Sequence, residues 1–515
     1  MSTVAYCSFI WGSGYITARA RTRTHRSLQK TEEQKRRIMS VLRKINPTLQ
    51  RICICEQENL GRRAMQIARE LKQGVKKPYK ELVDVSIGDA HSGGIKPITF
   101  VRQVIAACIY PELLHDSTLP ADVKERAWRL MRECDGGSVG SYTEECGIPY
   151  VKSSVSEFIT RRDGGVPASP ENVFILSGSQ TALMFVLSLL VHGEGSAQTG
   201  VAFPVPTYSS FAMALDELGA EMVPYYLCEE EGWALRVEEL RRAVRASGLH
   251  CTPRALYVIN PSNPTGNVQS RKIIEEVIRF AAEEKLVIMA DEVYQDTVHE
   301  EGIDFVSYKR VLFELGPPYS ESVQLASFHS VSKGFMGECG LRSGYVELVN
   351  LDPAVMEQAC KWLSAGSCSA VTGQIALNIM VDPPRPGDPS YTMYSQEVKF
   401  KKDTLTCNVR RVQEVLEDIP GFTCQAVGGG FYAFPRLHLP QRAVQRAKEL
   451  GVEADLLYCT RLLEEEGVCL EAGSSLGQKE GTHHIRLCLM TSTKTLGMVL
   501  KRLKRFHLRF LKEFS

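Results

Sequence analysis

One lysine stands out because hydroxyl, glycine and arginine residues surround it. Lys333 lies in SFHSVSKGFMGECGLRSGY, residues 327–345, which begins at the end of an apolar run with the pattern of a β-strand. A buried lysine beside other cationic groups has a lowered pKa, and its neutral amine can form a Schiff base with a carbonyl. Ser330, Ser332 and Arg342 can donate hydrogen bonds to a phosphate. The segment therefore predicts covalent chemistry at Lys333 beside an anchored phosphate.

Two further polar motifs directly follow apolar runs. Asn263 lies in NPSNPTG and Asp291 begins DEVYQD, positions where ligands bind in open α/β sheets. A buried carboxylate at Asp291 can keep a pyridine nitrogen protonated, which makes the ring an electron sink. Asn263 and Tyr294 can hydrogen-bond an oxygen on such a ring. An ordinary Pro-Gly turn is the alternative for the first motif, and a helix N-cap by Asp291 is the alternative for the second.

Three weaker signals complete the set. In LSGSQTALMFVLSLL, Ser179 and Gln180 begin a helix after a strand and a small-residue turn, so they can offer backbone amides to a phosphate. Tyr208 in PVPTY can stack on an aromatic ligand or pack in the core. Arg486 in HHIRLCL lies within a β-like run, where an unpaired charge is costly. A substrate carboxylate is the partner that we expect for Arg486.

The pattern of apolar residues indicates the elements that position these groups. Six short runs predict strands: Val173–Leu176, Val201–Phe203, Ala255–Ile259, Leu286–Ala290, Val323–Phe328 and Gly344–Leu348. Helical stripes with a period of three to four alternate with them, such as Ile273, Ile274, Val277 and Ile278. This alternation predicts an α/β fold with a mostly parallel sheet.

Composition excludes several classes of function. The chain has 515 residues and a net charge of +1, which gives no electrostatic reason to expect nucleic acid or an anionic membrane as a partner. Its longest apolar stretch, residues 182–191, is far shorter than a bilayer requires. The 16 cysteines include no CxxC pair, which favours reduced thiols. His483 and His484 have no third ligand at suitable spacing, so we predict no metal site.

The N-terminal segment allows two interpretations. Residues 1–31 contain five arginine and lysine residues and no acidic residue, as in a mitochondrial transit peptide. A basic disordered tail is the alternative, and Met39 is a possible second start that would leave a cytosolic form. Mitochondrial matrix and cytoplasm are therefore both expected locations.

The motifs together resemble a known family. In order, GSQTA, PVPTY, NPSNPTG, DEVYQD, SVSK and the late Arg486 look like the pyridoxal 5'-phosphate (PLP) site of class I aminotransferases, which have fold type I. The segments GVKKP, KPITFVRQV, RRDGG, GPPYS and LGQKEGT resemble the alanine aminotransferase family, from about Asn46 onward. The sequence therefore resembles that of a diverged member of the family.

The resemblance implies a role for each matching residue. Lys333 would form the Schiff base and carry protons, Asp291 would contact the pyridine nitrogen, Asn263 and Tyr294 the ring oxygen, and Tyr208 would stack on the ring. The phosphate would be held by Ser179, Gln180, Ser330, Arg342 and, from a neighbouring subunit, Tyr142 in SVGSYTEECG. Arg486, with Asn263 beside it, would bind the substrate.

The resemblance also implies a domain organisation and a dimer. We expect a basic extension (1–44), an arm that joins the small domain (45–100), a large PLP-binding domain with a mostly parallel sheet (101–380) and a smaller α/β domain (381–515). The Pro- and Asp-rich stretch VDPPRPGDPS, residues 381–390, marks the last boundary. The expected assembly is a homodimer.

Two departures from the family concern basic residues. The chain has Gln57 and Gly366 where relatives carry arginine, and GSQT at residues 178–181 where they read GASD. We expect the loss of two cations to affect substrate choice more than cofactor binding.

The expected activity is ping-pong transfer of the amino group of L-alanine to 2-oxoglutarate, giving pyruvate and L-glutamate. The alternatives are a transaminase or PLP lyase with another substrate, and a PLP-binding but catalytically idle paralogue. Retention of Lys333, Asp291 and Arg486 argues against an idle chain.

Overall fold

The computed structural model describes residues 56–300 and 302–515, and it describes side chains from residue 59 onward. The predicted transit peptide and the basic extension (1–44) lie outside the described residues. The strands, in chain order, are β1 (Val83–Asp84), β2 (Val173–Leu176), β3 (Thr199–Val205), β4 (Glu221–Tyr226), β5 (Thr252–Ile259), β6 (Val287–Asp291), β7 (Leu325–Ser330), β8 (Gly344–Val349), β9 (Phe422–Thr423), β10 (Tyr432–Ala433), β11 (Arg436–Leu437), β12 (Val468–Cys469), β13 (Glu471–Ala472) and β14 (Ile485–Cys488).

Helices flank these strands. They are Glu56–Lys72, Thr99–Ile109, Ala121–Arg132, Pro149–Arg162, Ser179–Leu190, Ser209–Leu218, Val237–Ser247, Arg271–Glu284, Tyr308–Glu314, Tyr319–Ser322, Pro353–Ser364, Val371–Val381, Tyr391–Glu417, Gln441–Leu450, Ala454–Glu466 and Thr493–Phe514. Across residues 56–300 and 302–515, no helix combines the length and the apolarity needed to cross a bilayer.

Seven strands form the central sheet, in the order β2-β8-β7-β6-β5-β3-β4. β8 is antiparallel to both of its neighbours, and the remaining pairs are parallel. The predicted α/β class with a mostly parallel sheet is therefore confirmed, as are all six predicted strands. β4 was not predicted because Pro224 interrupts its pattern. It lies at the sheet edge, where a residue without an N–H is tolerated.

Burial explains why the sheet forms from these segments. β3, β6, β7 and β8 are buried along their whole length, as expected for strands covered by helices on both faces. The predicted stripe at Ile274, Val277 and Ile278 is buried in the helix Arg271–Glu284. Parallel strands end at one edge of the sheet, so the polar motifs that follow β5 and β6 meet there.

A second core joins segments that are distant in sequence. Residues of the helix Glu56–Lys72 pack in one hydrophobic cluster with residues from 405 to 510. β1 pairs in parallel with β12, and β10, β14 and β13 form a small antiparallel sheet. The apolar face of Thr493–Phe514 is buried in this cluster. The predicted domain boundaries stay a prediction.

Candidate active site

A cavity of about 460 Å³ opens beyond the carboxyl ends of β5 and β6. Its volume is in the range of small-molecule sites. It brings together seven of the predicted site residues. These are Ser179, Tyr208, Asn263, Asp291, Tyr294, Lys333 and Arg486.

Lys333 lies in the turn that follows β7, and its Nζ donates a hydrogen bond to the Gly88 carbonyl at 2.8 Å. Burial lowers the pKa of Lys333, but Tyr432, Cys339 and other phenol and thiol groups favour the ammonium form, so its pKa lies above the ordinary value. The expectation that burial beside cations lowers this pKa is wrong: burial does lower it and is the largest single influence, but the neighbouring groups that act on the amine are phenols and thiols, which together outweigh burial.

Asp291 is the last residue of β6 and is only 5% exposed. Its Oδ2 accepts a hydrogen bond from Tyr257 at 2.8 Å, and its Oδ1 accepts from the backbone N–H of Val293 at 3.4 Å. Burial raises the pKa of Asp291 to about 6, although both hydrogen bonds lower it. A carboxylate in this setting favours a cationic partner, such as a protonated ring nitrogen.

Asn263, Arg486 and Tyr294 also line the cavity. Nη1 of Arg486 donates to Oδ1 of Asn263 at 3.1 Å. Burial raises the pKa of Tyr294 well above its usual value, so its phenol stays neutral and can donate a hydrogen bond. These contacts join the predicted ring-oxygen group to the predicted substrate group.

The predicted phosphate residues meet at the N-terminus of the helix Ser179–Leu190. Gly178 has φ +96°, a backbone conformation that favours glycine, and a Cβ there would lie 2.7 Å from Nη2 of Arg342. Ser330 is fully buried, and its Oγ has no hydrogen-bond partner in the described part of the chain. Gln180 turns its Nε2 to the Ser210 carbonyl at 3.1 Å. Helix N–H groups, a guanidinium and an unpartnered hydroxyl fit an anion.

Three residues of the sequence argument lie elsewhere. Tyr142 is 79% exposed and is not part of the cavity wall, so its predicted contact with a neighbouring subunit stays a prediction. Gly366 is exposed and lines a separate cavity with Ser177 and Trp362. Gln57 belongs to the helix Glu56–Lys72, but its side chain lies outside the described residues.

Among the residues of the cavity wall that the sequence argument missed, Gly88, Tyr432 and Glu471 contact the predicted site residues. Gly88 accepts the hydrogen bond from Lys333, and a Cβ there would collide with the phenol of Tyr432. Tyr432 also lies under Arg486, with Cζ 4.1 Å from the ring centroid. Glu471 forms an ion pair with Arg486. The glycine run before Tyr432 was a signal of close approach, whereas Glu471 in CLEAG carries no recognisable pattern.

Comparison with known proteins gives four sequence findings. Residues 110–503 match the family model described as aminotransferase class I and II. The chain is 48% identical to alanine aminotransferase 2 of Xenopus laevis, over 92% of this chain and 87% of that protein. It is also 48% identical to human alanine aminotransferase 1, over 92% and 95% of the two chains. Glutamate–glyoxylate aminotransferase 1 of Arabidopsis thaliana is 39% identical, over 86% and 92%.

Solved structures share the fold at low sequence identity. An alanine aminotransferase from Pyrococcus furiosus superposes with a TM-score of 0.67 at 20% identity, covering 87% of this chain and 96% of that one. An aminotransferase from Escherichia coli gives 0.69 at 18% identity, covering 91% and 99%. At this level of sequence identity, the two structures show a shared fold and nothing further.

Proposed function

The chain belongs to the class I and II aminotransferases and, within them, to the alanine aminotransferase family, and we propose that it is a PLP-dependent enzyme that transfers the amino group of L-alanine to 2-oxoglutarate. The products are pyruvate and L-glutamate. The observation that carries the proposal is the convergence of Lys333, Asp291 and Arg486 on one cavity.

The residues present fit PLP. The N-terminus of Ser179–Leu190, the unpartnered hydroxyl of Ser330 and the guanidinium of Arg342 would hold its phosphate. Asp291 would pair with the protonated pyridine nitrogen. Asn263 and Tyr294 would hydrogen-bond the ring oxygen.

Three side chains would then perform distinct tasks. When bound, PLP supplies a carbonyl that takes up the amino group and a ring that accepts electrons. Lys333 would take the proton from Cα of the donor and return it to the acceptor, as a positioned general base and acid. Arg486 would hold the α-carboxylate, which orients the Cα–H bond toward the amine of Lys333.

A donor and acceptor screen tests this proposal. The purified protein is supplied with PLP and assayed with alanine, glycine, aspartate and glutamate as donors, against 2-oxoglutarate, pyruvate, glyoxylate and oxaloacetate. We expect the highest donor kcat/KM with L-alanine, with pyruvate and glutamate formed in equal amounts. A better donor than alanine would indicate a transaminase of another specificity. PLP binding without turnover of any pair would indicate an idle paralogue.

We further propose that the active form is a homodimer in which Tyr142 of one subunit contacts the phosphate site of the other. The exposure of Tyr142 and the resemblance of SVGSYTEECG to the family support this. One chain has a mass of 57.4 kDa, and light scattering should give twice that mass. Tyr142→Phe should weaken PLP binding without changing that mass; unchanged PLP affinity would contradict the contact.

We propose that the protein is located in the mitochondrial matrix or in the cytoplasm. A fluorescent fusion of the full chain, compared with one that begins at Met39, distinguishes the two. Mitochondrial signal that is lost in the shorter fusion would support the transit peptide, and identical signals would support the basic tail.

A further inference from the structure

Glu471 is a buried carboxylate in the cavity wall that the proposed mechanism does not use. The antiparallel register of β13 and β14 sets it directly opposite Arg486. On the other side of β14, Tyr432 of β10 lies under the guanidinium. Because backbone pairing fixes the positions of all three residues, Glu471 stays beside Arg486.

The three nitrogens of the Arg486 guanidinium differ in their partners. Nη2 forms the ion pair with Glu471 and also donates to the Ser86 carbonyl at 2.8 Å, so it already faces two oxygen partners. Nη1 donates to Asn263, and Nε has no hydrogen-bond partner among the described residues. A guanidinium grips a carboxylate with two parallel bonds, through Nη2 and either Nη1 or Nε. Both arrangements need Nη2, so Glu471 occupies the place of an incoming carboxylate.

Charge around the guanidinium is also unfavourable to an anion. Asp84 lines the same cavity, so the cavity wall carries a second carboxylate besides Glu471. Burial raises the pKa of Glu471, Arg486 lowers it, and Asp84 raises it again. A substrate carboxylate would approach a pair that is already neutral, with a second negative charge nearby.

An orienting role for Glu471 is the competing explanation. Arg486 is, however, already held by the Ser86 carbonyl, by Asn263 and by the ring of Tyr432. Glu471 is therefore not required to set the direction of the guanidinium. The two explanations predict opposite signs: removal of a competitor strengthens carboxylate binding, whereas removal of an orienting group weakens it.

We propose that Glu471 is a specificity-determining residue of this site, whose carboxylate competes with the substrate α-carboxylate for Nη2 of Arg486. The inference rests on the proposed function, in which Arg486 binds that carboxylate. Alanine is affected strongly because its single carboxylate is the only anionic group that it offers.

Binding of propionate to the holoenzyme tests the competition without any turnover. Propionate carries the carboxylate of alanine but no amino group, and calorimetry measures its Kd. Loss of a competitor for a charged hydrogen bond should tighten binding by about 10- to 150-fold in Glu471→Gln. Glu471→Leu also removes the hydrogen-bond acceptor and should bind propionate at least as tightly. If the leucine variant does not fold, the glutamine variant decides.

Kinetics give a second readout. In Glu471→Gln, KM for L-alanine should fall by the same factor while kcat changes little, because the proton-transfer residues are untouched. A Kd for propionate or a KM for alanine that rises would overturn the proposal and favour an orienting role. Unchanged values would also overturn the proposal, because Glu471 would then have no effect on carboxylate binding. If the wild type does not turn over alanine at all, the proposed function fails, and the propionate measurement still decides the role of Glu471.

A matched control is available in the same half of the molecule. Glu466 is equally buried and pairs with Arg505, but it lies outside the cavity. Glu466→Gln should lower the stability of the protein and leave propionate binding unchanged. Equal tightening in both variants would show a general effect of lost charge and would overturn the specific competition.

Discussion

Replacing Asp291 with asparagine should stabilise the cofactor-stripped protein at neutral pH while weakening its hold on PLP. The pKa of Asp291 rises from 3.8 to about 6 on folding, chiefly because of burial. The folded protein therefore binds the proton more tightly than the unfolded chain does. The resulting cost to stability is absent below about pH 4, grows as the pH rises, and is complete above about pH 6.

The magnitude follows from the size of that shift. A pKa that rises from 3.8 to about 6 corresponds to roughly 3 kcal/mol, which is the largest gain in unfolding free energy that Asp291→Asn can give. Asparagine keeps one oxygen, which can accept from the Val293 N–H, and its amide N–H can donate to the hydroxyl oxygen of Tyr257. At pH 4.5 the gain should fall to roughly 1 kcal/mol, because the folded wild-type carboxyl is then protonated and the pH lies only slightly above the ordinary pKa of 3.8 in the unfolded chain.

Urea unfolding of cofactor-stripped wild type and variant at pH 4.5, 5.5 and 7.5 measures this dependence. PLP affinity, measured in parallel, should fall, because the pyridine nitrogen loses its anionic partner. Asp352→Asn is the control: Asp352 is an exposed helix N-cap whose Oδ1 accepts from the Ala354 N–H, and asparagine caps equally well. A gain that is the same at all three pH values, or a less stable variant at pH 7.5, would refute the reasoning.

Three other outcomes are expected. Lys333→Ala should abolish the visible absorbance change on PLP binding and lower turnover by at least about 10² to 10⁴, the usual contribution of a general base; full activity would exclude the mechanism. Gln57→Arg and Gly366→Arg, if each restores one charged hydrogen bond, should lower KM for 2-oxoglutarate by about 10- to 150-fold. An unchanged 2-oxoglutarate half-reaction with normal alanine turnover would mean that these positions do not set specificity. Lys309→Met should lower the free energy of unfolding, measured in urea, by about 3 to 5 kcal/mol, because it leaves buried Glu347 unpaired. An unchanged free energy of unfolding would contradict that reasoning.

The sequence predicted the central sheet because its signal is local. Runs such as Val287–Asp291 are apolar throughout and end in polar motifs, so both the strand and the ligand residue at its end can be read from a few neighbouring positions. The same locality made Lys333, Asn263 and Asp291 visible. β4 escaped because Pro224 masks its pattern.

The parts that were missed depend on contacts between distant segments. Glu471 meets Arg486 only because a two-residue strand pairs across the small sheet, and such short strands have no periodicity to detect. The pKa of Lys333 was misjudged for a similar reason. The phenol of Tyr432 and the thiol of Cys488, which favour its ammonium form, come from segments about a hundred residues or more away.

The union of early and late segments in one core has a consequence for biosynthesis. The hydrogen bond from Arg486 to the Ser86 carbonyl spans 400 residues, and the helix Glu56–Lys72 packs against the same late segments. At roughly 5 to 20 residues per second, a ribosome needs about 20 to 80 s to make the intervening chain. During that interval Leu60, Ala64 and Ile67, which are buried in the finished protein, have no late segment to cover them. The nascent arm therefore exposes apolar side chains until the late segments are made, and we expect chaperones to bind it during that interval.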